Sequence, residues 1–195
     1  LPGNRKRVNS SGGLQINDRT INNAKFTIDR DFGFQVHNIN EFKDKFSYNL
    51  KTAVSTGEGR NWTKSADDGV ALTGKLELMP FGSFKKDGTH FEGDIAREET
   101  PKVLVSGAFS QNNLSKRTQG QLGEDLFAPK TTKALFLDAM LKYNGWSLMS
   151  AYMSRATKDP IAFNPDDITE FNYVPVGSGM DYQLSYVFPT NYEVI

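Results

Sequence analysis

Residues 135–152 read LFLDAMLKYNGWSLMSAY and predict a β-hairpin. Large apolar side chains recur at every second or fourth position on both sides of Asn144-Gly145: Leu135, Leu137, Leu141 and Tyr143 before it, Trp146, Leu148 and Tyr152 after it. A period of two is typical of a strand with one apolar face. The Asn-Gly dipeptide suits the positive φ angles of a type I′ turn. The stretch therefore predicts two strands joined by a two-residue turn.

The same alternation recurs along the rest of the chain. Five further strands are predicted at residues 24–38, 46–55, 70–78, 103–110 and 180–188, and another begins at residue 192. In the first of these strands, only Arg30 breaks the apolar side of the pattern. The predicted fold class is all-β, with about eight antiparallel strands of roughly ten residues over residues 24–195.

The predicted connections alternate between short and long. The short ones are residues 39–45, 144–145 and 189–191, and the long polar ones are residues 57–68, 112–131 and 158–178. Short turns at one end of a sheet and long loops at the other are typical of transmembrane β-barrels in bacterial outer membranes. Residues 81–101 do not fit, because this long charged stretch falls on the side of the short turns.

Composition is consistent with a membrane barrel and excludes a helical membrane protein. Mean hydropathy is −0.52, and no apolar run approaches the roughly 18 residues of a spanning helix. In a barrel the lipid-facing and lumen-facing side chains alternate, so a polar average is expected. Aromatic residues recur near the predicted strand ends, as in interfacial girdles. The absence of cysteine is compatible with an oxidising compartment.

Basic residues are concentrated at the start of the chain, although the net charge of the whole chain is zero. Residues 1–30 hold six of them, Arg5, Lys6, Arg7, Arg19, Lys25 and Arg30, against Asp18 and Asp29. By strand parity Lys25, Lys51 and Lys75 lie opposite their apolar neighbours and are predicted to face inward. Cationic side chains that line a low-dielectric channel attract anions. A plainer interpretation is that these charges balance Asp29, Asp31, Glu77 and Asp138 on the same face.

Other classes of function find little support. The two histidines, His37 and His90, stand in no catalytic or zinc-binding motif. The zero net charge and the apolar placement of the aromatic residues argue against a nucleic-acid partner. We therefore expect no enzymatic activity, no metal site and no cofactor.

Several segments resemble the phosphate-selective porin O and P family of bacterial outer-membrane porins. They are Asn4–Ser11 (NRKRVNSS), Asp29–Gly33 (DRDFG), Leu50–Val54 (LKTAV), Lys142–Leu148 (KYNGWSL) and Asp181–Tyr186 (DYQLSY). One departure is Ala151, where the family pattern leads us to expect a glutamate before Tyr152. The resemblance implies a closed barrel of about sixteen strands.

On this interpretation, residues 1–195 are about half of a porin domain. Residues 1–23 form a basic segment at the mouth of the pore, and the strands of residues 24–195 form part of the wall. A half-barrel would expose two unpaired strand edges to hydrocarbon, at several kcal/mol for each unsatisfied backbone group. More chain is therefore expected at both ends.

The resemblance implies a passive channel in the bacterial outer membrane for small anions such as phosphate. The predicted pore-lining, anion-binding residues are Arg5, Lys6, Arg7, Arg19, Lys25, Lys51 and Lys75. Expected partners are outer-membrane lipid and small anions, with a possible homotrimer or a larger outer-membrane complex. Two alternatives stay open. The barrel could be a subunit or scaffold of an outer-membrane assembly, or the chain could be a soluble β-sandwich binding module whose apolar stripes face an inner core.

Overall fold

The computed structural model describes residues 1–5, 11–16, 19–42, 45–60, 69–190 and 193–195. Their dominant element is a single antiparallel sheet, which confirms the all-β prediction. Its eight strands, in spatial order, are β1 (Gly33–Phe42), β2 (Phe46–Ser55), β3 (Ala71–Met79), β4 (Lys102–Arg117), β5 (Asp125–Tyr143), β6 (Trp146–Thr157), β9 (Gly177–Val187) and β10 (Glu193–Val194).

Smaller elements lie in the connections. The connection from β6 to β9 contains a separate two-stranded hairpin, formed by β7 (Ile161–Phe163) and β8 (Phe171–Tyr173). One α-helix, α1 (Ile21–Phe26), precedes the sheet, and Ser11–Gly13 and Lys85–Asp87 form 3-10 turns. No helix within the described ranges is long and apolar enough to cross a membrane.

The hairpin predicted at Asn144-Gly145 is confirmed. Tyr143 pairs with Trp146, and the two turn residues have φ angles of 47° and 93°. These positive angles are the reason that asparagine and glycine suit the turn.

The sheet exposes large apolar side chains on one face, which is unusual for a water-soluble protein, and covers a face on which charged and apolar side chains are mixed. On β5, Leu137 is 47% exposed, whereas its neighbour Asp138 is 7% exposed. The same alternation runs through β6, where Leu148 is exposed and Ala151 is buried, and through β9, where Leu184 is exposed. We call the exposed side the apolar face and the covered side the polar face. In the described part of the chain the other sheet is the small β7–β8 hairpin, and the large apolar side chains of the apolar face are exposed, so these residues form no sandwich core on that face.

Two segments cover the polar face. The first, the amino-terminal cover, is residues 1–5 and 19–29, and it packs Ile28 against Phe136 and Met153. The second, the β3–β4 cover, is residues 80–101, and it packs Phe84 against Leu104 and Met140. The stretch 81–101, which was too long for the turn side of a barrel, therefore folds back over the sheet.

The strand predicted at residues 24–38 is wrong over its first part. Residues 21–26 form α1, whose first turn is capped by the Thr20 hydroxyl, which accepts a hydrogen bond from the Asn23 amide at 3.3 Å. Strand β1 begins only at Gly33. Phe26 and Ile28 have the spacing of a strand, but they are apolar because they pack on the core from the amino-terminal cover.

The loop predicted at residues 112–131 is also wrong, because most of it is strand. Strands β4 and β5 continue to Arg117 and from Asp125, so the connection itself is residues 118–124. The register shifts between Asn112 and Ser115, where Leu114 has a φ of 54°. Polar residues and this irregularity interrupt the alternation that would have revealed the strands.

The turn predicted at residues 39–45 begins later than expected, because β1 continues to Phe42.

Candidate functional site

The centre of the polar face is a group of paired charges around Glu77. Its carboxylate accepts from Arg5 at 3.1 Å, from Lys51 at 3.1 Å and from Lys75 at 3.3 Å. Asn49 donates to the same carboxylate at 3.1 Å. Three of the predicted pore-lining cations therefore meet at one acidic residue.

Asp138 is the second carboxylate of this group. Strand register places Glu77 beside Ser106 and Ser106 beside Asp138, so the three side chains form a row across β3, β4 and β5. Asp138 accepts from the Ser106 hydroxyl at 3.1 Å and lies 3.8 Å from the Lys75 ammonium. We call Arg5, Lys51, Lys75, Glu77 and Asp138 the charge cluster. It holds three cations and two carboxylates, and all three cations are ion-paired.

The other predicted site residues lie elsewhere. Arg19 lines a cavity of about 480 Å³ with Glu92, Asp181 and Gln183. Lys25 is exposed on α1, so the strand alternation from which its inward direction was predicted does not apply there. Lys6 and Arg7 lie outside the described residues.

Two further cations are buried on the polar face, Lys142 and Arg155, and neither was predicted as a site residue. The Lys142 ammonium donates to the carbonyls of Gly88, Phe91 and Gly93 at 2.7, 2.7 and 2.6 Å. Each of these carbonyls belongs to the β3–β4 cover. Because a buried charge is costly without partners, the three carbonyls explain how a fully covered lysine is tolerated.

Arg155 has the matching role for the amino-terminal cover. Its guanidinium donates to the carbonyls of Lys25 at 2.7 Å and Thr27 at 3.1 Å, and also to that of Gln119 at 3.4 Å. The alternation of side chains along β5 and β6 could have placed Lys142 and Arg155 on the same face as Asp138. It does not show which backbone carbonyls the two cations bind.

The charge cluster also fastens the covers. The Lys75 ammonium donates to the Gly3 carbonyl at 2.9 Å, and the Arg5 guanidinium donates to the Thr89 carbonyl. Arg5 thus links the amino-terminal cover to both the sheet and the β3–β4 cover. The predicted anion-binding cations are therefore also part of the scaffold.

A polar network lies at the β9 side of the face. Glu92 accepts from the Gln15 amide and from the Gln183 side chain, both at 3.0 Å. Asp181 accepts from Thr20 at 2.7 Å and Asn22 at 2.9 Å, which anchors the start of α1 to β9. These contacts border the cavity beside Arg19.

The glycines at 57 and 59 hold a carboxylate of the chain itself. Asp31 accepts from the amide of Gly57 at 2.6 Å, from the amide of Gly59 at 3.1 Å and from the Thr56 hydroxyl at 2.7 Å. Both glycines have positive φ angles, 88° and 83°, a conformation that glycine adopts without strain. This loop is thereby joined to the chain just before β1.

Over the described ranges, no group of three or more histidine, cysteine, aspartate or glutamate side chains could hold a metal ion. No family model, curated protein or solved structure matches the chain. The resemblance to the phosphate-selective porins therefore stays a prediction.

Proposed function

We propose that the chain is part of an outer-membrane β-barrel that acts as a passive channel for small anions, phosphate among them. The observation that carries the proposal is the exposed apolar face of the sheet. Between residues 135 and 143 the apolar face of β5 carries only leucine, alanine and tyrosine, and the corresponding positions of β2, β3, β4, β6 and β9 also lack Asp, Glu, Lys and Arg. An exposed, uncharged strip about nine residues long matches what a tilted strand needs to cross hydrocarbon.

Aromatic residues at one end of this strip support a membrane boundary. At the turn between β5 and β6, the Trp146 and Tyr186 rings lie 4.8 Å apart, and the Tyr186 and Phe188 rings 4.9 Å apart. At the turn between β1 and β2, Phe42 and Phe46 lie 6.1 Å apart. Short turns bordered by aromatic residues are expected at the periplasmic rim of such a barrel.

The strand edges support the presence of further strands. β1 and β10 are the two ends of the sheet order, and an unpaired edge in hydrocarbon leaves backbone groups unsatisfied. In the proposal these edges pair with further strands, so that a closed barrel of about sixteen strands encloses the polar face.

The anion preference rests on the charge cluster and on the resemblance. The cluster has one more cation than carboxylate, and Lys51 is its least buried cation, with 17% of its side chain exposed. A low-dielectric wall would strengthen attraction of an anion to this surplus, while hydration allows release. Arg19, beside its cavity, would add a second cationic position.

A second candidate is a barrel with a closed interior that serves as a subunit or scaffold of an outer-membrane assembly. The favouring observation is that both covers lie across the polar face and that Lys142 and Arg155 bind them through buried hydrogen bonds. Covers held in this way would narrow or block a lumen.

Planar-bilayer recording of the full-length protein under a KCl gradient tests both candidates. We expect a reversal potential that shows anion preference, and Lys51→Gln should lower the ratio of anion to cation permeability several-fold. Lys133→Gln, an exposed change of the same kind outside the polar face, is the matched control. Cation preference would overturn the anion channel. Absence of conductance, with fixed protein partners that copurify, would favour the scaffold.

A further inference from the structure

An outer lobe extends beyond the apolar strip, at the end of the sheet opposite the short turns. It consists of residues 117–130 and 158–176. Pairing of β5 with β6 begins at Thr132 and Thr157, so the start of β5 has no β6 neighbour. Asn172 of β8 lies there instead, and its side chain donates to the Asp125 carbonyl at 2.8 Å and accepts from the Phe127 amide at 3.3 Å. The β7–β8 hairpin is thus docked on β5.

The hairpin has one buried side and one exposed aromatic side. Ala162 and Val174 are almost completely buried. The residues that point the other way are Ile161, Phe163, Phe171 and Tyr173, which are 40%, 52%, 58% and 57% exposed. We call these four residues the hairpin face. The strand pairs Ile161 with Tyr173 and Phe163 with Phe171 place them side by side.

Distance separates the hairpin face from the proposed membrane strip. Phe127, next to the hairpin, precedes Leu135 by eight residues of β5, which corresponds to roughly 27 Å along an extended strand. Lipid contact at the strip therefore does not account for these exposed rings. Clustered apolar side chains exposed to water commonly mark a site of protein interaction.

Carboxylates border the hairpin face on the side of Phe171. Phe127 and Phe171 line a cavity of about 520 Å³ together with Glu124, Asp125 and Glu170. The whole lobe has six acidic residues and three basic ones. Two of its cations are already paired, Lys130 with Asp159 at 2.7 Å and Arg117 with Asp125 at 3.7 Å.

The remaining carboxylates, Glu124, Asp166, Asp167 and Glu170, form no ion pair with a described residue. Hydrogen bonds from the side chain and the amide of Thr169 lower the pKa of Asp167 below its ordinary value of 3.8. Asp167, on the border of the face, therefore stays negatively charged at neutral pH.

We propose that the hairpin face docks a basic polypeptide segment, whose apolar side chains contact Phe163, Phe171 and Tyr173 while its lysines or arginines lie along the carboxylates. Complementary charge steers such a partner to the face, and aromatic residues are preferred anchors in protein interfaces. A neutral saccharide fits less well. The rings of Phe163 and Phe171 are tilted by 57° to each other, so they do not form one flat surface on which a sugar ring could stack.

A labelled peptide of alternating lysine and leucine is a suitable probe. It is titrated onto the full-length protein in nanodiscs of zwitterionic lipid, with empty nanodiscs as the blank. We expect saturable binding that weakens with salt, and an affinity at least about tenfold lower for the double variant Phe163→Ser/Phe171→Ser. The double variant Asp166→Asn/Asp167→Asn should weaken binding several-fold and reduce its salt dependence. Phe81→Ser and Asp87→Asn, both outside the lobe, should bind as the unmodified protein does.

Equal binding by the hairpin-face variants and the unmodified protein would overturn the proposal. So would equal binding of a peptide in which glutamate replaces lysine. Binding of a neutral oligosaccharide, lost in Phe163→Ser/Phe171→Ser while the lysine peptide fails to bind, would replace it with a glycan site. Because the assay measures peptide binding, its result is independent of the conductance result.

Discussion

The apolar and polar faces of the same sheet are held in their environments by different physical means. Leu137 and Asp138 are adjacent on β5, yet the leucine is exposed and the aspartate is covered. The large apolar side chains of the apolar face are exposed among the described residues, and in the proposed membrane barrel the requirement on this face is that it carries no charge. The polar face depends on particular partners at hydrogen-bonding distance. Substitutions on the two faces should therefore destabilise the protein for different physical reasons.

The largest effect is expected for Glu77→Gln. This change leaves Arg5, Lys51 and Lys75 with a neutral neighbour in place of their shared carboxylate. Removal of one partner from a buried ion pair costs about 3–5 kcal/mol. Urea unfolding in detergent micelles should show this loss in the free energy of unfolding. Glu41→Gln, on exposed β1, is the control, and equal stability of the two variants would mean that the cluster is well hydrated.

A somewhat smaller effect is expected for Leu137→Lys, at the centre of the apolar face. A lysine in the middle of a bilayer costs a membrane barrel about 2–4 kcal/mol. Folding into lipid vesicles should therefore fall sharply, whereas Leu137→Ile should fold nearly as the unmodified protein does. If the lysine variant inserted as readily as the isoleucine variant, this face would not contact hydrocarbon.

Lys142→Met should cost about 1–3 kcal/mol, because it leaves the carbonyls of Gly88, Phe91 and Gly93 without their donor. The β3–β4 cover should then become more open to protease. Limited proteolysis with mass spectrometry can locate the new cleavage between residues 80 and 101. Lys102→Met, which removes one exposed bond to the Phe81 carbonyl, should leave the digestion pattern unchanged. Identical patterns for both variants would show that the lysine does not hold the cover.

The smallest effect is expected for Asp159→Asn in the exposed outer lobe. A hydrogen bond from Lys130 lowers the pKa of Asp159 below its ordinary value of 3.8. Since the folded pKa is the lower one, any stabilisation is present above the unfolded pKa and disappears as the pH falls through the folded pKa. Surface ion pairs contribute little, so thermal melting at neutral pH should not change measurably. A clear decrease in the melting temperature at pH 7 would contradict this expectation.

Local sequence patterns were sufficient for much of the sheet. The hairpin at Asn144-Gly145 depends on neighbouring residues alone, and parity placed Lys51 and Lys75 on the polar face. The strand and loop predictions failed where apolar or polar residues contact parts of the chain that are distant in sequence. Ile28 packs on Phe136 from the amino-terminal cover, so its spacing from Phe26 was not that of a strand.

The sequence by itself determined the strands that alternate regularly and which face of each of them is apolar, because neighbouring residues are enough to show a period of two. Only the tertiary structure decided that the covers lie on the polar face. Arg5 meets Glu77 across 72 positions, and Arg155 meets the carbonyl of Lys25 across 130. Every residue carries a backbone carbonyl, so the partner of a buried cation leaves no residue-specific signal in the sequence. It is selected when the folded chain brings the two together.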